Sequence, residues 1–215
     1  MARVIKLVSI DLDGTLIPGD TVSLALARHL GREAETRDLE ARFRRGEITN
    51  AALAEITGAA LAGRMAAELE AALAALPLLV GIAETLAELR RRGIAVLLCT
   101  ITWRFAADYF RRRFGFDACS GTEMGRTGGR FTGKVTHPFA ATDKPRFVAA
   151  HCRRLGIALA DCAAIGDSAS DLPLFRAVGL PIALNGAPEI RAAAALALQT
   201  RDLTDVLPWL APDYC

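Results

Sequence analysis

The sequence predicts an α/β protein with a doubly wound parallel sheet and a small helical cap inserted after the first strand. Short apolar runs that are typical of buried strands alternate with helical segments, which favours parallel strands joined by right-handed crossovers. The long segment after the first strand is rich in Ala, Leu, Glu and Arg and contains no convincing strand. At 215 residues, the chain is long enough for one core domain that carries such an insertion.

The first strand is predicted from the apolar run at residues 4–10. Residues 17–76 are assigned to the helical cap domain, and residues 1–16 together with 77–215 to the core domain. Pro77 follows the last predicted cap helix, and the alternation of helix and strand resumes beyond it. The sequence therefore predicts a core domain that is interrupted once along the chain.

The remaining core segments follow in order. Helices are predicted at residues 82–92, 103–114, 142–155, 171–178 and 188–198, and strands at 94–99, 116–120, 162–165 and 180–184. Residues 122–136 differ from these, because four glycines flank a short run that contains Arg130 and Phe131. This pattern predicts a β-hairpin with glycine turns.

Two carboxylates, a glycine and a threonine directly follow the first predicted strand, in the sequence Asp11-Leu-Asp-Gly-Thr15. In an open α/β sheet, ligands bind at the carboxyl ends of the strands, so Asp11 and Asp13 are expected where chemistry takes place. Two acids separated by one leucine are unusual as core or as solubilising surface. They favour a nucleophile and a general acid/base beside a metal ion.

Three further polar motifs follow in order along the chain. Thr100 comes directly after the second core strand, Lys144 opens a predicted helix, and Gly166-Asp-Ser-Ala-Ser-Asp171 follows a later apolar strand. Together with the first motif, they resemble the four signatures of the haloacid dehalogenase superfamily of phosphohydrolases. Their joint occurrence is more specific than any one of them.

The resemblance implies phosphoryl transfer through an aspartyl-phosphate. Asp11 is then the nucleophile, and Asp13 is the general acid/base that protonates the leaving alkoxide and later activates water. The dehalogenating branch lacks an aspartate at the second position, so Asp13 favours phosphate chemistry. Thr100 is expected to bind a phosphoryl oxygen, and Lys144 to supply the positive charge that the transition state needs.

The same resemblance implies a Mg²⁺ site formed by Asp11, the backbone carbonyl of Asp13, and Asp167, because this hard cation prefers oxygen ligands. Asp171 is expected to hold a metal-bound water or to orient Lys144. Taken singly, several of these residues have ordinary alternatives, such as a turn aspartate, a helix cap or a surface lysine. Their order and their positions at strand ends favour catalysis.

Substrate contacts are predicted at Leu12, Gly14, Asp20 and Ile101. Gly14 lets the backbone approach the phosphoryl oxygens, and neighbouring amides are expected to bind them. The helical cap and the predicted hairpin resemble the phosphoserine phosphatase-like branch of the superfamily. In that branch, an acid at the position of Asp20 meets the ammonium group of the substrate.

Two departures from that branch argue against phosphoserine as the preferred substrate. The second motif of the branch runs Ser-Gly-Gly-Phe, whereas this chain has Thr100-Ile-Thr-Trp103. The cap helix of the branch offers an arginine to the substrate carboxylate, but this helix reads Ala54-Glu-Ile-Thr57, and Arg64 is the next candidate. The sequence therefore predicts a small phosphomonoester substrate, of which phosphoserine is one possibility.

Two rival functions share these motifs. A phosphotransferase would pass the same phosphoryl group to a second alcohol, and a non-catalytic module would bind phosphate without turnover. The net charge of +2 and the absence of a long apolar run argue against nucleic acid or membrane partners and favour a small phosphorylated metabolite. Five scattered cysteines without a Cys-x-x-Cys motif favour reduced thiols in the cytoplasm.

Overall fold

A parallel sheet forms the centre of the protein, whose computed structural model describes residues 4–211. The strands of that range are β1 (Leu7–Ile10), β2 (Ala95–Leu98), β3 (Ala118–Cys119), β4 (Glu123–Thr127), β5 (Arg130–His137), β6 (Cys162–Gly166), β7 (Leu180–Leu184) and β8 (Leu196–Leu198). Six of these described strands form the parallel sheet, in the order β3-β2-β1-β6-β7-β8. β4 and β5 pair antiparallel as a separate hairpin.

Helices surround this sheet. The α-helices of residues 4–211 are α1 (Val22–His29), α2 (Glu33–Arg44), α3 (Asn50–Ala59), α4 (Ala66–Ala74), α5 (Ile82–Arg91), α6 (Arg104–Phe114), α7 (Lys144–Leu155), α8 (Leu172–Phe175), α9 (Pro188–Ala193) and α10 (Leu207–Leu210). Short 3₁₀ turns at Ala141–Asp143 and Ala169–Asp171 directly precede α7 and α8. The predicted α/β fold with a parallel sheet is confirmed.

The central position of β1 determines where the site forms. β1 pairs with β2 on one side and β6 on the other, so that Ile10 is opposite both Leu98 and Ile165. The carboxyl ends of these three strands therefore meet at one edge. The chain order of the strands reverses at β1, which is where doubly wound sheets bind their ligands.

Both faces of the sheet are covered by apolar side chains. Val8 and Ile10 of β1 belong to a buried cluster that includes residues of α5 and α6, such as Leu86 and Phe110. Leu7 belongs to a second cluster on the other face, which includes Val148 of α7. Burial on both faces explains why the strands are continuously apolar in the sequence.

Four helices, α1 to α4, occupy the segment predicted as the cap, and they are called the cap below. Thr21 and Thr49 begin α1 and α3 in the usual way, because each side chain accepts a hydrogen bond from an amide in the first turn. The hairpin adds to the cap, since the Phe131 amide donates to the Arg64 carbonyl at 2.8 Å. The division into two domains stays a prediction.

Some element boundaries differ from the sequence predictions. The first strand begins at Leu7, and Val4 is 68% exposed. The helix predicted over 188–198 ends at Ala193, and the residues after it form strand β8, in which Leu196 pairs with Ile182. Alanine favours a helix locally, but pairing with the open edge of β7 determines the structure of this segment.

Two further properties concern the chemical environment. Within residues 4–211, no helix combines the length and the hydropathy needed to cross a membrane. Cys99, Cys119, Cys152 and Cys162 are buried free thiols. The fifth cysteine, Cys215, lies outside the described residues.

Candidate active site

A buried lysine joins the ends of two sheet strands through carboxylates. Lys144 Nζ lies 3.0 Å from Asp11 Oδ1 and 2.6 Å from Asp171 Oδ1. It also lies 3.4 Å from the Ser170 hydroxyl. Burial alone would lower the pKa of Lys144, but Asp11 and Asp171 raise it well above its ordinary value. The lysine therefore stays charged at the edge where β1 and β6 end.

Asp11, Asp167 and Asp171, called the carboxylate cluster below, can face a single cation. Each residue offers one carboxylate oxygen, and these oxygens lie within 4.8 Å of one another. Burial, followed by the charges of Asp11 and Asp171, raises the pKa of Asp167 to about 8. When all three are ionised, the single ammonium of Lys144 does not balance them, and a hard dication with oxygen ligands would offset the remaining negative charge.

The carboxylate cluster differs from the predicted metal ligands in one member. Asp11 and Asp167 are common to both sets, whereas the cluster adds Asp171 and lacks the Asp13 side chain. This is compatible with the prediction for Asp13, which concerned its backbone carbonyl. Asp171 contacts both Lys144 and the loop before α8, because its second oxygen accepts from the Ser168 amide at 3.2 Å.

The carboxyl group of Asp13 points towards the cap. Asp13 Oδ1 accepts a hydrogen bond of 2.8 Å from the amide of Val22, the first residue of α1. Burial raises the pKa of Asp13 to about 8, and the nearby charges of Asp11 and Glu40 add to this rise. A carboxyl group that keeps its proton near neutral pH is suited to act as a general acid.

Gly14 has a structural role that the sequence analysis did not predict. Its φ of +83° suits glycine, and a Cβ atom there would lie 2.2 Å from Asp167 Oδ2. The neighbouring Thr15 hydroxyl donates to Asp167 Oδ1 at 2.9 Å. The turn after β1 therefore positions Asp167. Leu12, a predicted substrate contact, is fully buried.

Thr100 is held in place by residues of two loops. Its side chain is buried, and its hydroxyl accepts a hydrogen bond from the Thr102 amide at 3.3 Å. The Ser120 hydroxyl accepts from the Thr100 amide at 2.9 Å and donates to the Thr100 carbonyl at 2.8 Å. The sequence analysis did not predict a role for Ser120. The signal for it was its position directly after β3, because β3 pairs with β2 and their ends meet at the same edge.

Asp20 lies on the cap side of the site and already has a cationic partner. Its carboxylate accepts from the Thr21 amide at 2.8 Å and lies 3.2 Å from the Arg28 guanidinium. Glu40, a residue that sequence reasoning missed, is also buried there and accepts a hydrogen bond from the Thr21 hydroxyl. The cap thus brings the carboxyl group of Glu40 close enough to Asp13 to raise the pKa of Asp13.

A space that is partly open to solvent lies between α3 of the cap and residues 101–103 of the core. We call it the chamber. Its lining includes Ser23, Asn50, Ala54, Thr57, Thr102 and Trp103. The predicted contact residue Ile101 also lines it. Arg64, the alternative arginine on the cap, is exposed and is not among the lining residues.

Comparison with known proteins assigns the family. A family model described as haloacid dehalogenase-like hydrolase matches residues 8–176. This chain is a haloacid dehalogenase-like hydrolase. The match covers more than half of the chain and extends from β1, before Asp11, to the end of α8, after Asp171. It confirms the predicted superfamily and the prediction that the chain is an enzyme.

Relatives of this hydrolase belong to the predicted branch. It is 31% identical to a phosphoserine phosphatase of Streptomyces coelicolor over 95% of the chain and 50% of the relative. It is 25% identical to the phosphoserine phosphatase of Methanocaldococcus jannaschii, over 95% and 97% of the two chains. The chain thus spans about half the length of the first relative and nearly all of the second.

A solved structure shows the same fold. The hydrolase superposes with a TM-score of 0.84 on a structure described as a phospho-aspartyl intermediate analogue of phosphoserine phosphatase. The two chains are 24% identical, and the match covers 97% of this hydrolase and all of the other. This similarity confirms the fold class. The relatives named above confirm the phosphoserine phosphatase-like branch.

Proposed function

We propose that this hydrolase is a Mg²⁺-dependent phosphatase that cleaves a small phosphomonoester through an aspartyl-phosphate on Asp11. The observation that carries the proposal is the arrangement at the sheet edge. There, the Asp11 carboxylate lies 3.0 Å from a buried ammonium and belongs to a cluster of three carboxylates. Similarity to proteins named phosphoserine phosphatase supports the same class of reaction.

In the first step, a carboxylate oxygen of Asp11 attacks the phosphorus atom, and the bond from phosphorus to the leaving oxygen breaks. Asp13 gives its proton to that oxygen, so the alcohol leaves neutral. Lys144 offsets the negative charge of the nucleophile and of the phosphoryl oxygens, and the Thr100 hydroxyl donates to one of these oxygens. The product is a phosphoryl group bound covalently to Asp11.

In the second step, a water molecule attacks the phosphorus atom of the aspartyl-phosphate. Asp13, now ionised, takes a proton from this water, and the bond from phosphorus to the Asp11 oxygen breaks. Inorganic phosphate leaves, and both aspartates return to their starting states. One general acid/base thus serves both steps, and this needs a carboxyl group with a pKa near the working pH.

The carboxylate cluster and the backbone carbonyl of Asp13 would hold the Mg²⁺ ion. When bound, the ion screens the Asp11 carboxylate from the substrate phosphate and polarises the phosphoryl oxygens. The chain itself contributes the positions of the ligands: Asp11 at the end of β1, and Asp167 fixed by the Thr15 hydroxyl. We further propose a small phosphorylated metabolite as the substrate and, from the reduced cysteines, a cytoplasmic location.

Phosphate release from a panel of small phosphomonoesters tests this function. We expect release by the wild type with Mg²⁺, none with EDTA, and none from Asp11→Asn under either condition. Adding a second alcohol separates hydrolysis from transfer, since a phosphotransferase would form a new ester instead of free phosphate. A protein that binds Mg²⁺ and phosphate but releases no product from any compound would contradict the proposal.

A further inference from the structure

The chamber lies directly next to the proposed general acid. Ser23, on its cap side, follows Val22, whose amide donates to Asp13 Oδ1. Thr102, on its core side, donates its amide to the Thr100 hydroxyl. An alcohol that leaves from a phosphoryl group bound between Asp11 and Thr100 would therefore enter the chamber.

The lining of the chamber is uncharged. In the part of the chain that the structure describes, its walls are built from apolar side chains, hydroxyl groups and the amide of Asn50. Several of its polar groups already have partners. Asn50 Nδ2 donates to the Phe139 carbonyl at 2.9 Å, and the Thr57 hydroxyl donates to the Leu53 carbonyl at 2.8 Å.

Two arginines of the cap, Arg28 and Arg32, are paired with carboxylates. Arg28 contacts Asp20 and Glu33, and Arg32, which lines a neighbouring space of the cap, contacts Glu35 at 2.8 Å. A carboxylate on the substrate would have to compete with these acids for a guanidinium. It would also approach Glu40, which is buried beside Thr21. A buried charge without a partner is strongly unfavourable.

The Thr102 hydroxyl of the chamber lies beside the proposed general acid. It is buried, and it is close enough to the Asp13 carboxyl group to lower the pKa of that group, although burial outweighs this effect. Buried hydroxyl groups are normally satisfied, and this one can pair with Asp13 or with a group that arrives with the ligand. A hydroxyl can donate to or accept from a neutral partner such as another hydroxyl.

We propose that the chamber selects phosphomonoesters of small uncharged alcohols that carry a hydrogen-bonding group, and that it disfavours esters whose alcohol bears a carboxylate. This inference rests on the proposed phosphatase function and specifies the substrate class of the same site. Phosphoserine and other phosphorylated hydroxy acids are then poor substrates, although the relatives are named phosphoserine phosphatases.

Three compounds that differ in one group test the proposal: 2-hydroxyethyl phosphate, O-phosphoethanolamine and 2-phosphoglycolate. We expect kcat/KM for the hydroxyl compound to exceed that for the carboxylate compound by about 10- to 100-fold, with the ammonium compound between them. An equal or higher value for 2-phosphoglycolate, or the highest value for O-phosphoethanolamine, would overturn the proposal.

Binding gives a readout that does not depend on turnover. Calorimetry on Asp11→Asn with Mg²⁺ and the same three esters should give the same order of dissociation constants. If Asp11→Asn binds the esters in this order but the wild type releases no phosphate, the proposed phosphatase activity is contradicted and the proposed selectivity of the chamber is supported. If the wild type releases phosphate and prefers 2-phosphoglycolate, the phosphatase activity is supported and the proposed selectivity of the chamber is wrong.

A charge added to the chamber provides the second test. Thr57→Arg places a guanidinium among the lining residues, and Glu55→Arg places one on the exposed side of the same helix. We expect Thr57→Arg to raise the ratio of kcat/KM for 2-phosphoglycolate over 2-hydroxyethyl phosphate by about tenfold or more. Glu55→Arg should leave the ratio unchanged. Equal ratios for both folded variants would contradict the assignment of the chamber as the alcohol site.

Discussion

The two sides of Asp13 have opposite chemistry. On the sheet side, the carboxylate cluster and Lys144 are joined by short polar contacts in a buried space. On the cap side, the chamber is lined by neutral groups, and Arg28 and Arg32 of the cap are paired with carboxylates. The sheet side can act on any phosphoryl group, whereas the cap side meets the part of the substrate that varies. We infer that separate parts of the chain determine the reaction and the substrate.

The largest expected effect comes from the nucleophile. Asp11→Asn should lower phosphate release by roughly 10³-fold or more for every ester, because no covalent intermediate can form. The measurement is kcat with Mg²⁺ for each substrate. Asp161→Asn, at a surface ion pair with Lys6, is the control and should keep full activity. A loss that depends on the alcohol would contradict the separation of reaction from substrate choice.

Replacement of the buried Lys144 should destabilise the protein more than replacement of the exposed Lys6. Lys144→Met leaves Asp11 and Asp171 without their partner and should lower the free energy of unfolding by about 3–5 kcal/mol. Lys6→Met removes a surface pair in which the lysine is half exposed, and should cost about 1 kcal/mol or less. Urea unfolding without metal measures both. Equal effects would show that the buried ammonium does not balance the carboxylate cluster.

The pH dependence of stability tests the protonation of the buried carboxyl groups of Asp13 and Asp167. Because the pKa values of Asp13 and Asp167 are raised to about 8, the folded protein holds protons there more tightly than the unfolded chain. This contribution to stability is fully present below about pH 4 and is lost as the pH rises through about 8. The metal-free protein should therefore melt at lower temperature at pH 8 than at pH 5.

Addition of Mg²⁺ sharpens the same measurement. The ion should raise the melting temperature more at about pH 8 than at about pH 5, since protons compete with it for the carboxylates. Asp167→Asn should weaken both the pH dependence and the effect of Mg²⁺. A melting temperature of the metal-free protein that rises between these pH values would contradict the raised pKa values of Asp13 and Asp167.

The smallest expected effect comes from the contact between the cap and the core. Asn50 on α3 donates to the Phe139 carbonyl, so Asn50→Ala should loosen the chamber and raise KM by about three- to tenfold, with little change in kcat. KM and kcat for the preferred ester provide the measurement. Glu55→Gln, on the exposed side of α3, should change neither. A large fall in kcat would show that this contact positions the reacting groups.

The fold and the sheet side were predictable for a common reason. Parallel strands are buried on both faces, so β1, β2 and β6 are visible as apolar runs, and the polar residues that follow them must meet at one edge. The strand β8 was not predictable in this way. The alanine-rich segment before β8 favours a helix, and β8 forms a strand only because it pairs with β7.

The chamber was less accessible to sequence reasoning. Its walls come from four separate segments, around Ser23, Asn50, Thr102 and Thr122, whose contact depends on how the cap packs on the core. The missing arginine on α3 was visible in the sequence, but the pairing of Arg28 with Asp20 was not. Side chains that meet only through tertiary packing leave no spacing signal along the chain.

The most direct test of the account is a search for the covalent intermediate. The enzyme is mixed with Mg²⁺ and 2-hydroxyethyl phosphate, quenched in acid within the first turnover, and digested for mass spectrometry. The account predicts the added mass of one phosphoryl group on the peptide that contains Asp11, and its absence in Asp11→Asn. Phosphate release by the wild type without this modification, or with the group on another residue, would contradict it.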